Sequence, residues 1–94
     1  MKNKLTVSKD AAKEIILCST TSPIVSERAA HLLMESGIAY SKRYKRIPYI
    51  VRNRFRGHDQ MCYIMINRME YGRARRCIEA LESRDSRRLH MNLI

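Results

Sequence analysis

The chain lacks internal repeats, low-complexity segments and any apolar run long enough to span a membrane. Lys2 and Lys4 make its start basic, as in a signal peptide, but Asp10 and Glu14 interrupt any apolar segment after them. These absences exclude a membrane protein and a repeat protein. We expect a soluble, cytoplasmic protein with a single basic domain over residues 1–94.

Cysteine and histidine are too few and too scattered for a metal site. Cys18, Cys62 and Cys77 are odd in number, form no CxxC motif and have no histidine at metal-ligand spacing. We interpret them as reduced core thiols, and we expect no metal and no cofactor. Carboxylates are not clustered either, since Asp59 is alone in the basic middle of the chain. We therefore expect no enzymatic activity and no catalytic residues.

Acidic side chains are scarce: nine Asp and Glu face nineteen Lys and Arg, which gives a net charge of +10. The excess is local, because residues 38–60 contain seven basic side chains and one acidic side chain. No lysine follows residue 45. Arginine pairs bidentately with phosphate groups and guanine edges. The charge distribution therefore predicts a surface that binds a polyanion such as nucleic acid.

Helical periodicity is found twice within residues 8–37. A serine is placed to cap a first helix over residues 9–18. Ser22 and Pro23 are typical of the start of a second helix, and Gly37 is placed to end it. The sequence therefore predicts a pair of N-terminal helices.

The predicted helical pair is expected either to support the core or to form a homodimer interface. The dimer is an alternative because Ile24 and Met34 add apolar residues to the second helix. A DNA-binding helix-turn-helix is less favoured, since the exposed side of that helix would include Glu27, Arg28 and Glu35 and is not basic.

In residues 49–66, apolar and polar side chains alternate in a pattern typical of two strands joined by a four-residue turn. On the first of these strands, Arg52, Arg54 and Arg56 share one face, and no acidic residue neutralises them. Pairing across the turn places Tyr63 opposite Arg54 on that face. The other face is predicted to pack on the last helix through apolar residues: Val51, Phe55, Cys62, Ile64 and Ile66.

A last helix is predicted over residues 70–83, and the tail at residues 84–94 has no clear structure. Residues 38–46 are either a third strand or a basic loop. The predicted fold class is therefore α+β, with two N-terminal helices and then a two- or three-stranded antiparallel sheet packed on a C-terminal helix. The buried face of the last helix is predicted to contain Ala74, Cys77, Ile78 and Leu81.

The predicted binding surface combines the arginine row with the basic stretch just before it. An aromatic ring among guanidinium groups can stack on bases while its neighbours contact phosphate. Arg73 and Arg76 have no expected ion-pair partner on the last helix, and they fit phosphate binding and a solvated surface equally well. The candidate residues of the main surface are Lys42, Arg43, Lys45, Arg46, Arg52, Arg54, Arg56 and Tyr63.

Three segments, Gly37-Ile38, residues 49–57 and residues 73–81, have the pattern of a strand start, a strand with its turn, and a helix. In this order they make residues 37–83 resemble the AP2/integrase-type DNA-binding domain. The resemblance implies a three-stranded sheet in the major groove of duplex DNA, with the arginines of the second strand contacting bases and phosphates. That family's second-strand tryptophan is absent here. Double-stranded-RNA-binding domains share the strand and helix order, but their lysine-rich helix start is also missing.

The expected function is that of a small, non-enzymatic nucleic-acid-binding protein of regulatory or accessory type, of a size common in phage and mobile elements. Duplex DNA is slightly preferred over RNA. The alternative is a protein-targeting inhibitor or adaptor, for example of a nuclease, toxin or polymerase, whose basic face docks on an acidic or RNA-loaded partner. A steep salt dependence of nucleic-acid binding would distinguish the first function from the second.

Overall fold

Four antiparallel strands form one sheet in a computed structural model that describes residues 13–81 and 83–92. The strands lie in the order β2-β3-β1-β4, which with the intervening helices gives the split β-α-β arrangement of an α+β fold. The described elements, in chain order, are β1 (Glu14–Thr20), α1 (Pro23–Glu35), β2 (Tyr40–Arg46), a 3-10 helix (Tyr49–Phe55), β3 (Gln60–Asn67), a short 3-10 helix (Arg68–Glu70), α2 (Tyr71–Ile78), α3 (Ser83–Ser86) and β4 (His90–Met91).

Strand β3 lies between β2 and β1, and its alternation gives the sheet two different faces. Ile64 and Ile66 are 0% and 1% exposed and belong to the core, together with Cys18 of β1. Tyr63 and Met65 point to the opposite face because neighbouring residues on a strand alternate. We call the first side the helix face and the second the open face.

Helix α1 packs on the helix face and has well-defined ends. The Ser22 hydroxyl caps its start by accepting a hydrogen bond from the Val25 amide at 3.3 Å. At its end, Gly37 has a φ of 73°, and the amide of the next residue, Ile38, donates to the Leu33 carbonyl at 2.9 Å. This Schellman turn returns Ile38 to the core beside Leu33.

Helix α2 is tied to the end of α1 by polar contacts as well as by apolar packing. Ala74 and Ile78 of α2 are buried in the same core cluster as α1. The Cys77 thiol donates to the Leu32 carbonyl at 3.0 Å and is hydrogen-bonded to the Ser36 hydroxyl at 3.1 Å. Both helices therefore cover one face of the sheet as a single layer.

The predicted pair of N-terminal helices is wrong. Glu14–Thr20 is strand β1, so the first described helix follows a strand. The predicted cap and residues 9–12 lie outside the described residues. The four consecutive apolar residues 15–18 fit a buried strand as well as a helical stripe, and periodicity does not separate the two for so short a run. In the structure these residues pair with β3, and they are therefore a strand.

The predicted hairpin of residues 49–66 is also wrong in its first strand. Tyr49–Phe55 is a 3-10 helix, and the hairpin is instead formed by β2 and β3, with Arg46 paired to Gln60. The physical reason is that a strand has only two hydrogen-bonding edges. Strands β2 and β1 occupy both edges of β3, so residues 49–56 have no edge left to pair with.

Other predictions agree with the structure. The second predicted helix is α1, with Ser22 as its cap, and residues 40–46 of the ambiguous basic stretch form a strand. The last helix is shorter than predicted, but Ala74 and Ile78 lie on its buried face. The tail, predicted without clear structure, differs: it contains most of α3 and all of β4, and β4 completes the sheet. No helix in the described part of the chain is long and apolar enough to cross a membrane.

The two faces of β3 give a direct test of the fold. We expect Ile64→Ala to lower the free energy of unfolding by about 2–5 kcal/mol, since it leaves a cavity in the core. Met65→Ala, on the neighbouring residue of the same strand, should cost about 1 kcal/mol or less because it faces outwards. Urea unfolding of both variants measures the difference, and equal losses would contradict the assignment of faces.

Candidate nucleic-acid interface

The open face has a tyrosine at its centre. Tyr63 of β3 pairs with Ser19 of β1 on one side and with Arg43 of β2 on the other. His90 of β4 pairs with Ser19, so the four side chains form one row across the sheet. The row places an aromatic ring beside a guanidinium group, with an imidazole at its far end.

The neighbours of Tyr63 form a shallow groove of about 280 Å³ on the open face. Ile16 and Met65 supply apolar surface, and Arg43 and Lys45 supply charge along one side. Arg43 and Lys45 are exposed, whereas the Tyr63 ring and the two apolar side chains are half-buried. A flat apolar floor with cations at its margin suits a planar group attached to an anionic chain.

One acidic residue, Glu14, approaches the basic margin of this face at Arg43. Glu14 starts β1, accepts a hydrogen bond from the Ser41 hydroxyl at 3.1 Å and lies 3.7 Å from the Arg43 guanidinium. The Arg43 side chain remains 66% exposed, so this is a weak, screened ion pair. Lys45, two residues further along β2, forms no ion pair with any described residue.

Lys42 does not belong to the open face, although it lies between residues that do. It pairs with Ile64 on the helix face, and its ammonium group donates to Glu27 of α1 at 2.6 Å. Burial lowers the pKa of Lys42, but the hydrogen bond and charge of Glu27 outweigh it, so the net pKa is raised. The same hydrogen bond and charge lower the pKa of the Glu27 carboxyl. Lys42 therefore links β2 to α1.

A second basic region lies at the end of the sheet, next to His90. This arginine cleft has a volume of about 390 Å³ and lies between the loop at residues 47–59 and the segment at residues 83–92. Among the described residues, no carboxylate lines it. Its lining residues are Thr21, Ser22, Pro23, Arg54, Phe55, Arg56, His58, Arg87, Arg88 and His90.

The loop at residues 47–59 holds two of the predicted arginines towards the cleft and uses the third internally. Arg52 donates from Nε to the Ile47 carbonyl at 3.1 Å, and its guanidinium carbon lies 5.6 Å from the centre of the Tyr49 ring. Ile47 itself is buried and anchors the loop to the sheet. Arg54 and Arg56, in contrast, line the cleft. The three arginines are therefore not equivalent.

The segment at residues 83–92 is fixed by two anchors. Asp85 of α3 is buried and accepts from Arg28 of α1 at 2.7 Å. Asn92 donates its side-chain amide to the Ile16 carbonyl at 2.7 Å and its backbone amide to the Leu17 carbonyl at 2.9 Å. These carbonyls lie at the irregularity where the register of β1 shifts against β3. The anchors position Arg87 and Arg88 opposite the loop.

Three further predicted residues lie away from both regions. Arg73 forms an ion pair with Glu70 at 2.9 Å and donates to the Ser36 carbonyl, so the expectation that it lacks a partner is wrong. Arg76 is exposed on α2, in the helix layer. Arg46 is exposed at the end of β2, on the same side of the sheet as Lys42.

Sequence reasoning missed Arg87, Arg88 and His90 as members of a site. The adjacent pair of arginines was the available signal, but their approach to Arg54 depends on a strand of two residues, His90–Met91. So short a strand has no periodicity to detect. Ile16 was also missed on the open face, because it was assigned to a helix.

The described residues also include groups that hold metals or act as nucleophiles in other proteins. No group of three His, Cys, Asp or Glu residues in residues 13–81 and 83–92 is placed to hold a metal ion. Burial, with a smaller contribution from nearby Cys62, raises the pKa of the Cys18 thiol to about 12. Cys18 therefore stays protonated at neutral pH and is a core residue.

The Asn92 anchor is testable without any ligand. Asn92→Ala removes the bond to the Ile16 carbonyl and should lower the free energy of unfolding by about 1 kcal/mol. Asn53→Ala is a matched control, since the Asn53 side chain is exposed and forms no hydrogen bond with a described residue. Thermal unfolding measures both, with about 4–8 °C expected per kcal/mol. An unchanged midpoint of thermal unfolding in Asn92→Ala would show that this hydrogen bond does not stabilise the fold.

Comparisons with protein-family models, with curated proteins and with solved structures find no match to this chain.

Proposed function

We propose that this protein binds single-stranded nucleic acid on the open face of its sheet. The observation that carries the proposal is the position of Tyr63, a half-buried ring at the centre of that face with Arg43 as its cross-strand neighbour. An exposed base can stack on such a ring, and stacking contributes about 1–3 kcal/mol per base. A regulatory or accessory role in the cytoplasm is part of the proposal.

Unpaired bases are preferred over a duplex because Tyr63 provides an aromatic ring for stacking. Both faces of a base inside a duplex are covered by its neighbours, so only a base outside the stack can lie on an aromatic ring. The earlier preference for duplex DNA depended on a strand containing Arg52, Arg54 and Arg56. Because Tyr49–Phe55 is a 3-10 helix, that argument no longer favours duplex DNA.

The phosphates are assigned to the basic margin of the same face. Arg43 and Lys45 are two residues apart on β2, so their side chains leave the sheet in the same direction about 7 Å from each other. This is close to the spacing of successive phosphates along an extended strand of nucleic acid. Bases on Tyr63, Ile16 and Met65 would then have their backbone along β2.

Stacking is tested by two tyrosines on opposite faces. We expect Tyr63→Ala to weaken binding of a single-stranded oligonucleotide by about 5- to 150-fold, the equivalent of one lost stacked base. Tyr63→Phe should retain most of the affinity, because the ring remains. Tyr44→Ala is the control, since Tyr44 pairs with Cys62 on the helix face and is 59% exposed. Fluorescence anisotropy gives the affinities, and equal losses in both alanine variants would contradict the proposal.

The charge contribution is tested by two lysines of the same strand. Lys45→Gln should reduce the salt dependence of single-strand binding by about 0.7 in the slope of log K against log salt, the value of one phosphate contact. Lys42→Gln makes the same change in net charge but on the helix face, and it should leave the slope unchanged. The measurement is a titration at several salt concentrations, with unfolding curves to confirm that both variants are folded.

The same titrations distinguish the alternative function. Single-stranded DNA, single-stranded RNA and duplexes of the same sequence should be compared in parallel. A duplex preferred over both single strands would contradict the proposal. A shallow slope with every nucleic acid would instead favour a protein-targeting inhibitor or adaptor.

A further inference from the structure

The arginine cleft concentrates positive charge beyond what the open face requires. Arg54, Arg56, Arg87 and Arg88 all line it, and none of the four forms an ion pair with any residue of the described ranges 13–81 and 83–92. Like charges gathered in a concave site repel one another unless an anion neutralises them. The cleft thus has the charge of an anion site and the shape to enclose one.

The chemistry of the lining favours an anion with several free oxygens. Each guanidinium offers a planar fork that donates two parallel hydrogen bonds to oxygens of one phosphate group. A phosphate inside a nucleic-acid chain has one negative charge and two free oxygens. A terminal phosphate has three free oxygens and a charge near −2 at neutral pH. The charge and the free oxygens of a terminal phosphate match four arginines better than those of an internal phosphate.

We propose that the arginine cleft binds a terminal phosphate group, either at the end of a nucleic-acid strand or on a free nucleotide. The volume of about 390 Å³ lies within the range of small-molecule sites and leaves room for the attached nucleoside. Binding of a phosphate at the end of a nucleic-acid strand rests on the proposed function. His90 lines the cleft and also ends the row across the open face, so one strand can reach both.

The backbone at Arg56, which ends the 3-10 helix, makes this arginine a suitable position to vary. Arg56 has a φ of 56° and is the one residue other than glycine with a positive φ in the described part of the chain. A left-handed conformation is unfavourable for a residue with a side chain, whereas glycine adopts it freely. A glycine at this position would therefore keep the turn and remove only the guanidinium group.

The start of α1 borders the cleft but contributes little by itself. Pro23 has no amide hydrogen, Val25 donates to the Ser22 hydroxyl, and Ser26 donates to the Ser22 carbonyl. The arginines are therefore the groups to vary. Arg56→Gly removes a guanidinium and relieves the backbone at once, so its melting temperature should be unchanged or higher while phosphate binding falls.

The test compares one single-stranded oligonucleotide with a 5′-phosphate, with a 3′-phosphate and with hydroxyl ends, and also compares adenosine monophosphate with adenosine. A hydroxyl-ended oligonucleotide one nucleotide longer controls for total charge. We expect a terminal phosphate to raise the affinity about tenfold or more on at least one of the two ligand types, which corresponds to ~1.4 kcal/mol. A preference among the oligonucleotides indicates a strand end, and one confined to the monophosphate indicates a free nucleotide.

The variants place the effect in the cleft. Arg56→Gly and Arg87→Gln should each remove most of the preference for the phosphorylated ligand. Arg75→Gln makes the same charge change on the exposed surface of α2, outside the cleft, and should leave the preference intact. The proposal is overturned if no ligand gains affinity from its phosphate, or if the preference is the same in wild type and in both cleft variants.

The two proposals can fail separately. Binding of the hydroxyl-ended oligonucleotide, and its dependence on Tyr63, reports on the open face alone. Loss of that binding with an intact preference for adenosine monophosphate would leave the cleft proposal standing and refute the open face. The reverse result would refute the cleft alone.

Discussion

The structure depends on the pairing of β3 along both of its edges. Strands β2 and β1 hold Gln60–Asn67 in a fixed register, so alternate residues of β3 are committed to opposite faces of the sheet. Ile64 and Ile66 pack beneath α1 and α2, and this burial is what keeps the helices on one side. A shift by one residue would bury Tyr63 and expose the core, so the register also determines where an aromatic ring meets solvent.

The same division separates two kinds of charge. On the helix side, carboxylates are used within the protein: Glu27 holds Lys42, Glu70 holds Arg73, and Asp85 holds Arg28. The first pair joins β2 to α1, the second lies at the start of α2, and the third joins α3 to α1. At the end of the sheet, the arginines of the cleft lack such partners among the described residues. The net positive charge is therefore concentrated where the fold does not use it, which is the physical basis of both proposals.

Local signals in the sequence were sufficient wherever the structure is decided locally. The cap of α1 and the left-handed residue at its end depend on a few neighbouring residues, and so both ends of α1 could be predicted. The alternation of β3 likewise follows from its own side chains. β1 and the loop at residues 47–59 could not be assigned, because each depends on which strand occupies an edge of β3. That competition involves residues distant in the sequence.

The candidate site could be predicted only in part for the same reason. Tyr63, Arg43 and Lys45 were among the predicted residues, and the structure brings them together through the pairing of β2 with β3. Arg54 and Arg56 were predicted for a strand face and instead line a cleft. Arg87 and Arg88 join them there only because β4 pairs with β1 and Asn92 bonds to β1. Such long-range contacts leave no periodicity in the tail.

The central claim, that the open face is the binding surface, is tested most directly by locating the ligand on the protein. A single-stranded oligonucleotide containing a photoreactive base should be cross-linked to the wild-type protein, and the modified peptides should be identified by mass spectrometry. We expect adducts on β3 at Tyr63 or Met65 and on β2 at Arg43 or Lys45. Adducts confined to the outer surfaces of α1 and α2 would contradict it.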